Sequence, residues 1–495
     1  MTPAQSPSTG AVHVRARGWG WRHAGRKSFA ARRLDLDISP GERVLLLGAS
    51  GAGKSTVLSG LAGLLGTDDE GEQEGELLLD GAQPAAARGR AGLVLQDPET
   101  QVVLARVGDE VAFGAENLSV PREEIWLRVG RALDDVGLDL PLDHPTTALS
   151  GGQKQRLALA SVLAMEPGLL LLDEPTANLD PDGVLEVRDA VVRVLERTGA
   201  TLVVVEHRVA VWADVVDRVV VLDAAGGVLA DGPPASVLAE GSTRDRLAAA
   251  GVWVPGWQPV VGGPPPAGGG EALLSASGLT VARTRRGPAV VEDLDTEVRA
   301  AGALSITGPN GAGKSTAALT LGALLRPRAG RLEASAALAG TAGGDPFRWR
   351  SSELVQRIGT VFQEPEHQFL TGTVADELEF GPRRVSGVQD MQRTDVAERL
   401  RLTHLLKANP FTLSGGEKRR LSVATMLATA PRILILDEPT FGQDAGTWAE
   451  LVTLLRELIH EGVSVLSVTH DADFIAALGG ATLHISGGEG RLVTR

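Results

Sequence analysis

The sequence contains no cysteine. That excludes disulfides, iron–sulfur clusters and thiolate zinc sites. Cationic side chains are also in deficit, 48 Lys and Arg against 62 Asp and Glu for a net charge of −14. Non-specific nucleic-acid binding shows itself as a basic excess, so this balance argues against it. No stretch approaches 18 consecutive apolar residues, so no bilayer-spanning segment is expected. The opening residues, MTPAQSPSTGAVHV, are polar and lack the apolar centre of a secretory signal. A role at a membrane would therefore require partner subunits. Tyrosine is absent too, which together with 61 glycines reads as compositional bias of the genome.

What is present is enough chain and enough apolar surface to fold. At 495 residues, 43% apolar and 22% charged, the composition is that of a folded protein with two to four domains.

The organisation lies in a repeat. LSGGQKQR at 149–156 returns as LSGGEKRR at 413–420, and GASGAGKS at 48–55 returns as GPNGAGKS at 308–315. LLLLDEP at 169–175 returns as ILILDEP at 433–439, LVLQDPETQ at 93–101 as TVFQEPEHQ at 360–368, and VVEHR at 204–208 as SVTHD at 467–471. These landmarks recur in one order at offsets between 260 and 267 residues, which defines a tandem duplication. Between the copies, VPGWQPVVGGPPPAGGGEA (254–272) is dense in Pro and Gly and reads as linker. The expected boundaries are a first domain at 11–240, a linker at 241–271 and a second domain at 272–495. The acidic stretch DDEGEQEGE (68–76) is expected to be a solvated turn.

Short apolar runs alternate with longer amphipathic ones. RVLLLG (43–48), GLVLQ (92–96), LLLLD (169–173), TLVVVEH (201–207) and RVVVLD (218–223) read as strands. Several are apolar throughout, as strands covered on both faces must be. Each copy is therefore expected to be an α/β domain with a mostly parallel sheet, and its ligands should lie at the carboxyl ends of the strands.

The chemistry sits at those ends. The G-x-x-x-x-G-K-S octet follows a strand and precedes an apolar helix-like run, the setting in which glycine-rich backbone cradles phosphates. In the first copy the candidates are Gly48, Ala49, Ser50, Gly51, Ala52, Gly53, Lys54, Ser55 and Thr56. In the second they are Gly308, Pro309, Asn310, Gly311, Ala312, Gly313, Lys314, Ser315 and Thr316. Lys54 and Lys314 are expected at the β- and γ-phosphates, and the hydroxyls of Ser55 and Ser315 on Mg²⁺. One such octet can be an accidental turn; two in register are not.

Asp173 and Asp437 end apolar strands, where a carboxylate can help fix the Mg²⁺ shell. The next residues, Glu174 and Glu438, are suited to accept a proton from an attacking water. A glutamate after a strand is usually just solvated, but Asp-Glu-Pro occurs at both strand ends. His207 and His470 follow another strand and suggest a contact to the γ-phosphate or the water. Gln96 and Gln363 end a further strand and can bridge Mg²⁺ or water. Ser150, Gly151 and Gly152, and likewise Ser414, Gly415 and Gly416, precede helix-like runs. They would occupy helix N-termini, where an anion is favoured, and the γ-phosphate of ATP fits.

With these residues in view, both halves resemble ABC-type nucleotide-binding domains, each with a helical subdomain beside its sheet. The resemblance implies two tandem P-loop ATPase domains acting on ATP and Mg²⁺. It further implies intramolecular head-to-tail pairing, in which the LSGG of one domain closes on the phosphate loop of the other. Lys54, Ser55, Gln96, Asp173, Glu174 and His207 would then share a site with Ser414, Gly415 and Gly416. Lys314, Ser315, Gln363, Asp437, Glu438 and His470 would share one with Ser150, Gly151 and Gly152. Asp180 and Asp444 match the family's aspartate that couples the sites. The Gln-x-Pro-x-x-Gln loops, QDPETQ and QEPEHQ, with DEVAFGAENL (109–118) and DELEFGP (376–382), are similar to cobalt-type ATPases of energy-coupling factor (ECF) importers. That implies uptake of a vitamin or transition-metal ion through a membrane scaffold subunit and a small substrate-binding membrane subunit. The chain itself would lie peripherally at the cytoplasmic face of the cell membrane. Two departures stand out. The family's adenine-stacking tyrosine is missing, leaving Trp21 or His23 in the first copy and Arg283 in the second. FGQDA (441–445) also replaces ANLDP (177–181), so the two sites are expected to differ. The competing expectation is a soluble tandem ABC ATPase acting on the ribosome or another non-membrane partner, but the ribosomal relatives typically carry a long charged linker and usually lack the switch histidine.

Overall fold

The structure is a computed structural model that describes residues 10–493, except 27, 50, 67–70, 97, 177–178, 208, 239–241, 265, 267–268, 285, 386–389 and 441. The chain divides into two compact units, Met1–Gln258 with Asp444–Gly446, and Pro259–Gln443 with Thr447–Arg495.

In the first unit a six-stranded sheet runs in the order Ala91–Val94, Leu169–Asp173, Thr201–Val205, Arg43–Gly48, Arg218–Leu222, Val228–Gly232. Its first five strands are parallel and the last is antiparallel. The second unit repeats the order with Ile358–Val361, Ile433–Asp437, Ser464–Val468, Ala303–Thr307, Ala481–Ser486 and Glu489–Val493. Every residue of Leu169–Asp173 and Thr201–Val205 is buried, which is why these strands read as unbroken apolar runs. Alternate side chains feed two cores. Leu45, Leu170, Leu172, Leu202 and Val204 face the helical layer, whereas Val44, Leu46, Leu171, Val203 and Val205 face the opposite side.

That opposite side is closed by a second, antiparallel sheet that composition does not announce. Val14–His23 pairs with Ala31–Ile38 and with Gly71–Leu79 in the first unit. Ala272–Ala282 does the same with Ala289–Arg299 and Ala329–Ala334 in the second. The acidic stretch at 68–76 is thus not a turn over its described part. Gly71–Leu79 is an edge strand whose Glu72 and Glu76 are exposed and Glu74 half-buried, with Arg22 paired to Glu72 and Arg32 to Glu74 at 3.5 Å. Charge on an edge strand is compatible with pairing because one face and one edge stay in water. The helical subdomain is the bundle Val107–Asn117, Arg122–Asp135 and Gly151–Leu163, centred on fully buried Val111, Val129 and Leu157. Val374–Phe380, Asp390–Arg399 and Gly415–Leu427 correspond to it.

Part of the segment expected as linker is folded. Ser242–Ala249 is helical, and Leu247, Val252 and Val254 are buried in the first unit's core. The strand Ala272–Ala282 opens the second sheet. Among the described residues no helix is long and apolar enough to cross a membrane.

Candidate functional site

Because the central strands are parallel, their carboxyl ends share one edge. Val94 lies opposite Leu172, Asp173 opposite Val205, and Leu46 opposite Val205. The residues that follow those ends, Gln96, Glu174, His207 and the phosphate loop, therefore converge.

Each phosphate loop leads into an eight-residue helix, Lys54–Leu61 or Lys314–Leu321, capped by a glycine in the left-handed region. At Gly53 φ is 88°, and a Cβ there would stand 2.1 Å from the carbonyl oxygen of Ala30. At Gly308, φ 138°, it would stand 1.9 Å from that of Ile485. No other residue type fits either place. The lysines fold back over their loops. Lys54 Nζ donates to Gly48 O at 2.8 Å and Ala49 O at 3.0 Å; Lys314 Nζ donates to Gly308 O and Pro309 O at the same distances. Burial pushes the Lys54 pKa down, against the pull of Glu174 and Asp173. Ala52 N–H donates to Ala49 O, and Ala312 N–H to Pro309 O, closing each loop. Thr56 Oγ1 lies 3.4 Å from His23 Nε2, and Thr316 O accepts from Thr320. Ser50 lies outside the described residues.

Ser55 hydrogen-bonds Asp173, and Ser315 hydrogen-bonds Asp437. Burial pushes the Asp173 pKa up to about 6 despite that bond, and raises Asp437 for the same reason. Asp437 Oδ1 is buried with no hydrogen-bond partner among the described residues. A hydroxyl beside a carboxylate short of counter-charge is a hard-oxygen donor set that fits Mg²⁺. Among the described residues no cluster of three or more His, Cys, Asp or Glu could hold a metal, so the remaining ligands would be phosphate oxygens and water, as Mg²⁺ prefers.

Glu174 and Glu438 both sit in the left-handed region, φ 49° and 46°. Their N–H groups stay in the sheet, bonded to Val205 O at 2.9 Å and Val468 O at 2.8 Å. That turn directs the carboxylates out of the ladder. In the first unit, Gln96 Nε2 donates to Glu174 Oε2 at 2.8 Å, and His207 Nε2 lies 3.2 Å from Glu174 Oε1. Burial would raise the Glu174 pKa, but His207, Lys54 and Gln96 outweigh it and hold it below the usual value. In the second unit, His470 Nε2 is 3.6 Å from Glu438 Oε1. Burial and the neighbouring Asp437 push the Glu438 pKa up to about 7. The lysine, serine, aspartate, glutamate, glutamine and histidine expected from the repeat thus meet in the first unit, and the lysine, serine, aspartate, glutamate and histidine in the second, with unequal electrostatics.

The signature segments begin helices as expected. Ser150 caps Gly151–Leu163 and Ser414 caps Gly415–Leu427, each through a capping box with Gln153 or Glu417. Gly151 and Gly415 are exposed, with no heavy atom near where a Cβ would lie. Asp180 caps the next helix, Pro181–Thr198, accepting from Gly183 N–H at 3.0 Å. Of the adenine candidates, Trp21 is 3% exposed and packed in the core, so its ring is not offered to a ligand. His23 is exposed beside the phosphate loop, and Arg283 is exposed in the second unit.

Several supporting residues escaped the motif reading. The last glutamine of each Gln-x-Pro-x-x-Gln loop pins the loop to its own strand. Gln101 accepts from Leu95 N–H and donates to Leu93 O, as Gln368 does with Phe362 and Thr360. Buried Glu110 accepts from Val103 and Leu104 N–H, and Glu377 from Leu370 and Thr371. Buried Glu206 accepts from Thr176 N–H at 3.1 Å and His207 N–H at 2.9 Å. The signal was available for the first two pairs, since both glutamines and both glutamates recur at the repeat offset.

A strand, a glycine-rich loop over a helix N-terminus, and an Asp-Glu pair at the adjacent strand end define a P-loop nucleotide-binding protein, here in duplicate. The chain belongs to the ABC transporter family, whose sequence profile matches residues 31–177 and 291–441. It is an ATPase with two ATP-binding domains. YkoD of Bacillus subtilis (strain 168), named as an HMP/thiamine import ATP-binding protein, is 36% identical over 91% of this chain and 85% of its own. A protein of Streptomyces coelicolor, named as an ABC transporter ATP-binding protein, is 32% identical over 92% of this chain and 89% of its own. Among solved structures, the archaeal ribosome recycling factor aABCE1, determined with the ribosomal stalk protein aP1, matches with TM-score 0.60 at 20% identity. That match covers 93% of this chain and 87% of the other, and it shows a shared fold.

Proposed function

We propose that the chain is the ATP-hydrolysing subunit of an ECF-type importer, powering uptake of a vitamin or transition-metal ion. Its partners would be a membrane scaffold subunit and a small substrate-binding membrane subunit, with this chain peripheral at the cytoplasmic face. The observation that carries the reading is the pair of polar sites, each beside a glutamine loop held to its strand by its own second glutamine. The likeness to a relative named for HMP/thiamine import supports the vitamin class.

In this reading Lys54 and Lys314, with the loop N–H groups, hold the β- and γ-phosphates. Ser55 with Asp173, and Ser315 with Asp437, hold Mg²⁺, which when bound offsets charge on the phosphate oxygens. Glu174 and Glu438 take the proton from the attacking water. Gln96 and Gln363 orient that water or the metal shell, and His207 and His470 steady the carboxylate and the γ-phosphate. Ser150–Gly152 and Ser414–Gly416 offer helix N-termini to a γ-phosphate.

The test is to tag the chain, solubilise native membranes in mild detergent, and identify what co-purifies. A polytopic scaffold with a small membrane protein is expected. Ribosomes, or no membrane protein, would overturn the importer reading and leave the ATPase chemistry standing.

A further inference from the structure

The two signature helices differ at several buried positions, one of them three residues beyond the Ser-Gly-Gly. It is Gln155 in the first unit and Arg419 in the second. Gln155 is 2% exposed, and its Nε2 has no hydrogen-bond partner among the described residues. Arg419 is also buried, at 8% exposed, but its guanidinium reaches two backbone carbonyls. Nη1 donates to the carbonyl oxygen of Glu438, and Nη2 donates to that of Gln363 at 3.2 Å. The fork of a guanidinium suits this, because its N–H groups diverge at fixed angles toward two acceptors. Burial lowers its pKa to about 10, while Glu364, Glu438 and Asp437 face it and favour the charge. A buried cation is retained only where its donors are engaged.

The residues so clamped are the two whose side chains serve hydrolysis in the proposed function, on which this inference rests. One of them, Glu438, holds a left-handed conformation that its surroundings must enforce.

We propose that Arg419 is a positioning residue of the second ATP site, fastening the backbone of Glu438 and Gln363 to the helix that begins at the signature serine. Displacement of that helix is thereby carried to the water-activating carboxylate and the glutamine loop together. Among the described residues the first unit shows no such tie at Gln155, and Glu174 is held through the side chains of Gln96 and His207 instead.

The test uses the full chain with Glu174→Gln, so that turnover reports the second site. Adding Arg419→Gln is expected to lower kcat by about tenfold to a hundredfold, the scale of a misplaced catalytic group, with KM for ATP nearly unchanged. Arg419→Lys should restore part of kcat, because an ammonium keeps the charge but not the fork. An unchanged kcat in a folded Arg419→Gln chain, or an equal loss in KM and none in kcat, would overturn the proposal. If Arg419→Gln fails to fold, Arg419→Lys carries the test: reduced kcat with faster amide exchange at 362–369 supports it, and wild-type values for both overturn it. Glu438→Gln in the same background is the control. If that change leaves turnover intact, the reading of the site itself is wrong and the positioning role falls with it.

Discussion

At the scale of single residues, function here depends on conformations that most side chains avoid. Glu174 and Glu438 accept a left-handed backbone, and Gly53 and Gly308 of the phosphate loops accept contacts that no Cβ could make. The loops are not equally tight. A Cβ at Gly308 would lie 1.9 Å from Ile485 O, whereas at Gly48 the nearest atoms are 3.1 Å away. Gly308→Ala is therefore expected to destabilise the second unit by about 1–3 kcal/mol and to abolish its ATP binding, with a smaller effect for Gly48→Ala. Thermal unfolding with and without ATP compares the two; equal effects would contradict the contact geometry. The glutamates carry the second prediction. In a chain already bearing Glu438→Gln, adding Glu174→Gln should cut phosphate release by about 10²- to 10⁴-fold, as loss of a general base does. Release that stays at the parent rate would remove Glu174 from the chemistry.

At the scale of elements, what the sequence made legible follows from burial. The parallel strands were found within a residue or two because they are buried on both faces and so written as unbroken Leu and Val. The site was legible because parallel strands deliver their carboxyl ends to one edge, so motifs at those ends must meet. The antiparallel sheets were missed for the converse reason. Ala31–Ile38 alternates buried and exposed positions, a weaker signal than an apolar run, and Gly71–Leu79 hides a strand under edge charge. For side-chain-to-backbone ties such as those of Gln101 and Glu110, the repeat marks the residues but not the bonds, because their partners are peptide groups, which have no letter. One such tie gives a pH-dependent prediction. Asp80, at the end of Gly71–Leu79, accepts from His13 N–H at 2.9 Å and from Arg90 at 2.5 Å. Burial works against its charge, but those bonds outweigh it and hold its pKa below the ordinary aspartate value. A carboxyl with a depressed folded pKa stabilises above its unfolded pKa, and the benefit disappears as pH falls through the folded value. Wild type should thus exceed Asp80→Asn in urea midpoint at neutral pH, and the gap should close below about pH 4, the unfolded aspartate range. A gap that persists or widens in acid would refute the linkage.

At the scale of the whole molecule, duplication has kept the framework and let the details diverge. Both units retain the lysine, serine, aspartate, glutamate, glutamine and histidine, yet Glu174 is held below its usual pKa and Glu438 above it. Each unit also closes its own cores, since the clusters that bury Leu171 and Leu172 draw on the first unit and that of Ile435 on the second. Independent cores allow separate unfolding transitions, and a ligand stabilises chiefly the unit whose phosphate loop holds it. At ATP a hundredfold above its dissociation constant the gain is about 2.7 kcal/mol. Calorimetry of the full chain should therefore show two transitions that ATP with Mg²⁺ moves upward. Lys54→Ala should pin the first unit's transition and leave the second free to shift, and Lys314→Ala should do the reverse. The lysine is the right probe because its ammonium is already lodged on the loop carbonyls in each unit, so its loss removes the phosphate's counter-charge from one site alone. If either substitution abolished both shifts, binding would be cooperative across the chain and the two sites could not be treated as separate ligand-binding events.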